Sequence, residues 1–323
     1  MPVAASGKIL VTGANGYIGA WVVRTFLEQG YSVRAALEFA IVADITQEGA
    51  FDEAAKGIDA IQHIASPVIP DGNDPQELIG PAVNGTLGIL ESARVHGDTM
   101  KRVVVTSSCG AVIEYSDKPR RFSEADWNEQ AVTEVQEKGK AADSLFKYYA
   151  SKVLAERAAW EYVEKHRDEL RWGLVVINPH YTYGPVIHDV NSPDELTVTM
   201  DSWYRCVLKD INGPQLYRTA DGSEWADVRD VAHAHVLAVQ KPEAAGNRII
   251  VSQGPWKWED WIIAARHCGA ATCPVDESYD SANAVRMVTY DTSRAARLLG
   301  MKYRSIQECT SDIVADFRAR RWM

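Results

Sequence analysis

No apolar run in this sequence approaches the roughly 20 residues that cross a bilayer. The stretch from Met1 to Gly13 lacks a cationic start followed by a long apolar core, so it does not read as a secretory signal. Cysteine is scarce: Cys109, Cys206, Cys268, Cys273 and Cys309 are scattered and odd in number. They form neither a disulfide framework nor Cys-x-x-Cys pairs, and no metal is expected. Positive charge is also in deficit. Against 44 Asp and Glu there are 34 Lys and Arg, a net charge of −10. That excludes the basic footprint needed by a nucleic acid or an anionic membrane surface. Hydrophobic residues at 46% and charged residues at 24% exclude general disorder. No repeat or low-complexity tract interrupts the 323 residues, which suffice for one large domain or two modest ones. These absences point to a soluble, reduced, cytoplasmic protein.

What is present is an alternation of strand and helix patterns. Lys8–Thr12 reads as a short buried strand, and a helix is expected from Gly16 to about Gln29, stopped by Gly30. Further strands are expected at Tyr31–Ala35, Phe39–Val42, Asp59–His63, Arg102–Ser107 and Trp172–Asn178. Helices are expected at Val83–Val95 and Phe146–His166. Such alternation implies an α/β fold, a Rossmann-type doubly wound parallel sheet. One place breaks the pattern. The second strand ends near Ala36 and the third starts near Leu37, yet parallel neighbours need a crossover of about a dozen residues or more. Either these two strands are antiparallel or a connecting segment is absent there. The regular flanks favour the second, which would leave the two Cα atoms much farther apart than ~3.8 Å.

After Pro179 the pattern turns irregular, and six tryptophans (Trp203, Trp225, Trp256, Trp258, Trp261, Trp322) lie in this part. They read as the aromatic core of a smaller C-terminal α/β substrate-binding domain, or in part as a pocket lining. The helix opening at Asp227 and the strand Arg248–Val251 are expected to return to the first domain. The division is then residues 1–179 with about 226–251 for the dinucleotide, and 180–225 with 252–323 for the substrate.

Three motifs carry chemistry. Gly13-Ala-Asn-Gly16-Tyr-Ile-Gly19 follows a strand and opens a helix. Glycine is needed where the chain turns tightly, where backbone meets a pyrophosphate and where helix packs on strand, and the helix N-terminus favours phosphate. Tyr148 and Lys152 are four residues apart, so they share one helix face. A cation there is expected to lower the phenol from its usual ~10 and suit it to proton transfer. Thr106-Ser107-Ser108 ends a strand at the carboxyl edge of the sheet, where a hydroxyl can donate to a carbonyl oxygen gaining negative charge.

The spacing Gly-x-x-Gly-x-x-Gly, with Tyr148-x-x-x-Lys152, resembles the short-chain dehydrogenase/reductase family. His63-Ile-Ala-Ser66-Pro67, Asn178-Pro179 and Asp227-Val-Arg-Asp-Val narrow the resemblance to its extended branch, near dihydroflavonol reductases, cinnamoyl-CoA reductases and fungal NADPH-dependent aldehyde and ketone reductases. The likeness covers nearly the whole chain and is loosest from Asn191 on. It implies hydride transfer from a nicotinamide to an aldehyde or ketone, giving an alcohol. By motif match Ser108 would polarise the carbonyl, Tyr148 would protonate the forming alkoxide, and Lys152 would hold the ribose and tune Tyr148.

The resemblance further implies cofactor contacts at Gly13, Asn15, Gly16, Tyr17, Ile18 and Gly19. Others are Arg34, Asp44, Ile45, Ala65, Ser66, Pro67, Thr106, Ser107, Pro179 and Thr182, besides Tyr148 and Lys152. Asp44 also reads as a turn or capping residue, and His63 as a buried strand histidine. His180 and Tyr181 depart from the apolar pair often found after Asn-Pro in these reductases. The cofactor implied is NADPH (NADP+), with Glu38 read as leading into a strand rather than selecting NAD. A bulky or aromatic carbonyl is the expected substrate, handled by a monomer or a homodimer. Val112–Ala142 is expected to be a long charged loop over the site. Two alternatives share the fold: a nucleotide-sugar epimerase or dehydratase, and a non-enzymatic dinucleotide-binding sensor.

Overall fold

The structure, a computed structural model, describes residues 2–4, 6–35, 44–66, 74–209, 223–271 and 273–323. In chain order these form β1 (Lys8–Thr12), α1 (Tyr17–Glu28), β2 (Ser32–Ala35), α2 (Asp52–Ala55), β3 (Ala60–His63), α3 (Gln76–His96) and β4 (Arg102–Thr106). Then come β5 (Arg120–Phe122), α4 (Glu129–Lys138), α5 (Ser144–Lys165), β6 (Gly173–Pro179), β7 (Tyr181–Tyr183) and α6 (Val198–Trp203). The chain continues through β8 (Ser223–Asp227), α7 (Val228–Gln240), β9 (Asn247–Val251), β10 (Gly254–Trp256) and α8 (Trp258–His267). It ends with β11 (Val288–Tyr290), α9 (Ser293–Leu299) and α10 (Ile306–Ala319).

Six strands make one parallel sheet in the order β2-β1-β3-β4-β6-β9. Their apolar runs are buried because helices cover both faces, α1 and α7 on one, α2, α3 and α5 on the other. From β1 the chain winds outward to β2, then returns to β3 on the far side of β1. The strand order therefore reverses between β1 and β3, and a crevice opens at their carboxyl ends. The expected strand at Phe39–Val42 and the suspected break between Ala36 and Leu37 lie outside the described residues.

Several boundaries differ from expectation. The α3 helix begins at Gln76, not Val83, and carries Pro81 in its second turn. A proline so near the start removes a single N–H and need not end a helix. The fifth expected strand stops at Thr106, one residue earlier than expected. Residues 112–142 are not one loop: they hold β5 and α4, the latter capped by Asn128, whose side chain accepts from Ala131 N. Caps at Asp143, Asp227 and Ser305 likewise fix the starts of α5, α7 and α10.

Beyond the main sheet, β7 and β8 pair in parallel with β10 antiparallel to β8, and β5 pairs with β11. Trp203, Trp225, Trp256 and Trp261 are buried together here, crossing edge to face. They fill the core rather than line an opening. Among the described residues no helix is long and apolar enough to cross a membrane, and no cluster of His, Cys, Asp or Glu is placed to hold a metal. Trp261 has no exposed surface and meets Trp225 at 4.7 Å between ring centroids. Trp261→Ala should destabilise the fold by roughly 3–5 kcal/mol, read from the urea unfolding midpoint. A loss below about 1 kcal/mol would show that this cluster is not a packing centre.

Candidate active site

The glycine turn comes first. Gly13 follows β1 with φ +68°, and a Cβ there would lie 2.8 Å from Ala65 N, so no side chain is tolerated. A Cβ on Gly19 would lie 2.0 Å from Gly13 O. These two glycines let α1 start hard against the sheet edge. Gly16 caps α1 without a side-chain hydrogen bond, and the first turn holds no acid. The first-turn N–H groups and the positive end of the helix are left to an anion. That cradle fits a dinucleotide's pyrophosphate. Asn15 and Gly16 are exposed beside it. Tyr17 offers only its backbone, since its hydroxyl donates to Gly184 O at 2.8 Å and Trp21 Nε1 donates to Pro185 O at 2.8 Å. Ile18 packs against the core.

Thr12 spans the crevice between β1 and β3. Its Oγ1 accepts from Ile64 N and Ala65 N at 3.2 Å each, so its own hydrogen goes to His63 Nδ1 at 2.9 Å. The hydroxyl is thereby saturated, and Ala65 and Ser66 are drawn over the glycine turn. Burial, helped by the Lys152 charge, lowers His63 to about 3, so its ring stays neutral and structural.

Ser108, Tyr148 and Lys152 converge at the next strand ends. Ser108 caps a short 3₁₀ turn, its Oγ accepting from Gly110 N at 2.9 Å, and its side chain is near enough to the Tyr148 phenol to pull that group's pKa down. Lys152 lies one turn along α5 with Nζ 5.6 Å from the Tyr148 ring centroid, and it donates to Ser66 Oγ at 2.8 Å. Burial lowers Lys152 to about 8, against the opposing pull of Glu156. The phenol differs from the sequence expectation. Burial raises Tyr148 above its ordinary value, and the compensating influence is Ser108 rather than Lys152. The ammonium lies over the ring and bonds Ser66, while desolvation acts on the whole phenol. Tyr149, one position out of register, is buried, and a Cβ on Gly110 would come within 2.4 Å of its ring.

Alternation along β4 sends its last hydroxyls to opposite faces. Thr106 Oγ1 meets His235 Nε2 of α7 at 3.2 Å, and His235 Nδ1 meets Gln62 Oε1 at 2.8 Å. Gln62 Oε1 only accepts, so the ring donates from Nδ1 and accepts the Thr106 hydroxyl at Nε2. Ser107 Oγ instead donates to Glu156 Oε2 at 2.6 Å. Both side chains are thus engaged inside the protein.

A family model described as the NAD dependent epimerase/dehydratase family matches residues 9–252. The chain belongs to that family, the extended short-chain dehydrogenase/reductases. Among its relatives is the NADPH-dependent methylglyoxal reductase of Saccharomyces cerevisiae, 31% identical, with 94% of this chain and 96% of the relative aligned. A cinnamoyl-CoA reductase of Medicago truncatula is 34% identical over 76% of each chain. The solved structure of yeast methylglyoxal/isovaleraldehyde reductase complexed with NADPH superposes with TM-score 0.83 at 29% identity. It covers 98% of this chain and 100% of that one.

Other positions matched to this family are placed as follows. The Arg34 guanidinium, on β2, donates from Nη1 to Ala54 O at 2.7 Å and Lys56 O at 3.0 Å, holding the end of α2. Asp44 Oδ1 accepts from Thr46 N at 2.8 Å and from Thr46 Oγ1 at 2.6 Å; these bonds keep its carboxyl acidic. Ile45 lies against α3, where a Cβ on Gly85 would crowd its side chain at 2.9 Å. Pro179 ends β6 opposite Val251. Thr182 turns its hydroxyl to His180 O at 3.0 Å. His180 is pinned as well: Nδ1 accepts from Tyr181 N at 2.7 Å, and burial lowers the ring to about 3 against an opposing influence of the Glu224 backbone. Pro67 and Glu38 lie outside the described residues.

Thr12, Gly110, Asn178, Glu156 and Arg248 were not among the expected site residues. Only Glu156 left a local signal, because it extends the Tyr148–Lys152 spacing by four more residues along one face of α5. Thr12→Val keeps the shape but removes the acceptor for two backbone N–H groups. It should cost roughly 1–3 kcal/mol in urea unfolding; an unchanged midpoint would show that these N–H groups find another partner.

Proposed function

We propose that the chain is an NADPH-dependent reductase that transfers hydride to an aldehyde or ketone and releases the alcohol, with bulky or aromatic carbonyls as substrates. The observation that carries this reading is the convergence of the Ser108 hydroxyl and the Tyr148 phenol, with the Lys152 ammonium over the phenol ring, beside an uncapped helix end at the sheet edge. The relatives described as reductases, and the NADPH in one solved neighbour, support it.

Bound at this edge, NADPH supplies the hydride. The first turn of α1 and Gly13 would hold its pyrophosphate, and the 65–66 segment would lie along it. Ser108 and Tyr148 present two hydroxyls to one carbonyl oxygen. Ser108 stabilises the charge that gathers there, and Tyr148 gives up its proton to it. Burial suits the phenol to that role, because its raised pKa keeps it protonated until the oxygen needs the proton. Lys152 supplies positive charge behind the phenol as it ionises.

The relative described as a cinnamoyl-CoA reductase supports a bulky, aromatic substrate. We assign the substrate side to residues 180–225 and 252–323.

Tyr148→Phe removes only the proton donor. Turnover should fall by roughly 10²–10⁴-fold while NADPH affinity, followed by nicotinamide fluorescence, stays within about twofold. A variant that keeps full turnover would refute the assigned role. Oxidation of NADPH in step with carbonyl loss separates reductase from epimerase, since an epimerase regenerates its cofactor in each cycle. A clear preference for NADH would overturn the choice of cofactor.

A further inference from the structure

The face of α5 that presents Tyr148 and Lys152 continues one turn further to Glu156. This side chain is fully buried, yet it is an acid. Its Oε2 accepts from Ser107 Oγ at 2.6 Å and from Asn178 Nδ2 at 2.9 Å. Its Oε1 pairs with Arg248 Nε and takes a long contact from Trp160 Nε1 at 3.4 Å. Asn178 Nδ2 also donates to Ser108 O at 3.2 Å. One carboxylate therefore ties α5 to the ends of β4 and β6 and to the start of β9.

Resting on the reductase reading for the role given to Lys152, we propose that Glu156 is a positioning residue. It fixes the backbone that carries Ser108 and supplies the negative field that keeps the Lys152 ammonium in place. Its oxygens are taken by other donors, so it acts on Lys152 through space rather than by an ion pair. Arg248 sets the strength of that field. It is held by Glu124 O at 3.0 Å and Asp126 O at 2.8 Å and lies 3.6 Å from the Trp127 ring centroid.

Charged and titratable groups face this pair from several elements, and on α4 Glu129 is already paired with Arg157 of α5. On α5 they are Tyr148 and Glu156. From β3 and the residues after it come neutral His63 and Ser66; from β4, β6 and β9 come Ser107, Asn178 and Arg248. On α3, packed along α5, Glu91 and Arg94 are occupied with Tyr162, farther down the helix. Loss of the Glu156 charge leaves Lys152 facing Arg248, so the ammonium loses its proton at lower pH. Loss of the Arg248 charge leaves the carboxylate unopposed, so the ammonium keeps its proton to higher pH. A purely structural role predicts no such opposition.

The test compares Glu156→Gln, Arg248→Gln and the double variant with the wild type. In Glu156→Gln the glutamine keeps the acceptor for Ser107 and Arg248 keeps its two carbonyls, and in Arg248→Gln the carboxylate keeps Ser107 and Asn178. NMR titration of ¹³C-labelled lysine side chains in the cofactor-free protein reads Lys152 without any turnover. The wild type should titrate near pH 8. Glu156→Gln should titrate roughly 1 unit lower and Arg248→Gln measurably higher. The alkaline limb of kcat/KM for carbonyl reduction should move in the same two directions. If a single variant does not fold, the double variant carries the test. Only Glu156 pulls directly on Lys152, so it should titrate below the wild type. Coincident titrations, or shifts of one sign in both single variants, overturn the inference. A wild type that reduces no carbonyl refutes the reductase reading instead, and leaves the Lys152 titration to decide on Glu156.

Discussion

Parallel strands all stop on the same side, and here four of them, β1, β3, β4 and β6, stop within a few residues of one another. Their last backbone groups lack partners in the ladder. The chain meets that constraint by assigning each strand end a polar neighbour: Thr12 bonds the 64–65 backbone, Ser107 bonds Glu156, and Asn178 bonds Ser108 O. The same bonds that satisfy the edge also hold the candidate site in place. Stability and chemistry share these atoms.

The two faces of the sheet are treated differently. On the α7 side the polar layer is neutral, a Gln62–His235–Thr106 chain whose histidine is lowered to about 3 by burial. On the α5 side it is ionic, built on Glu156 and Arg248. A buried ion pair gives little net stability against an apolar replacement, but removing one partner strands the other. The charged layer is therefore placed where a charge has a task, beneath Lys152. The neutral layer only joins a helix to the sheet.

Much of this was legible in local spacing. The strand–helix order, the glycine turn and the shared face of Tyr148 and Lys152 each need only neighbours within a few positions, where backbone geometry fixes direction. Boundaries misread at Pro81 and in residues 112–142 turned on how one proline and a charged run behave in context. The polar partners were out of reach. Glu156 meets Arg248 across 92 positions, Thr12 meets Ala65 across 53, and Gln62 meets His235 across 173. No periodicity encodes such pairings. The expected fall of the Tyr148 pKa failed for a related reason. Burial is a property of the assembled fold, and it outweighed the cation that spacing had revealed.

Helix α1 touches both ends of the site. Its first turn opens at Gly16 with no side-chain cap, and four residues after Tyr17, Trp21 joins it in gripping the carbonyls of Gly184 and Pro185 as the chain leaves β7. A single stiff rod thus links the glycine turn to the exit of the small sheet. Any sliding of that rod along its axis is handed on mechanically to the 184–185 segment, with no need to travel through the strands between.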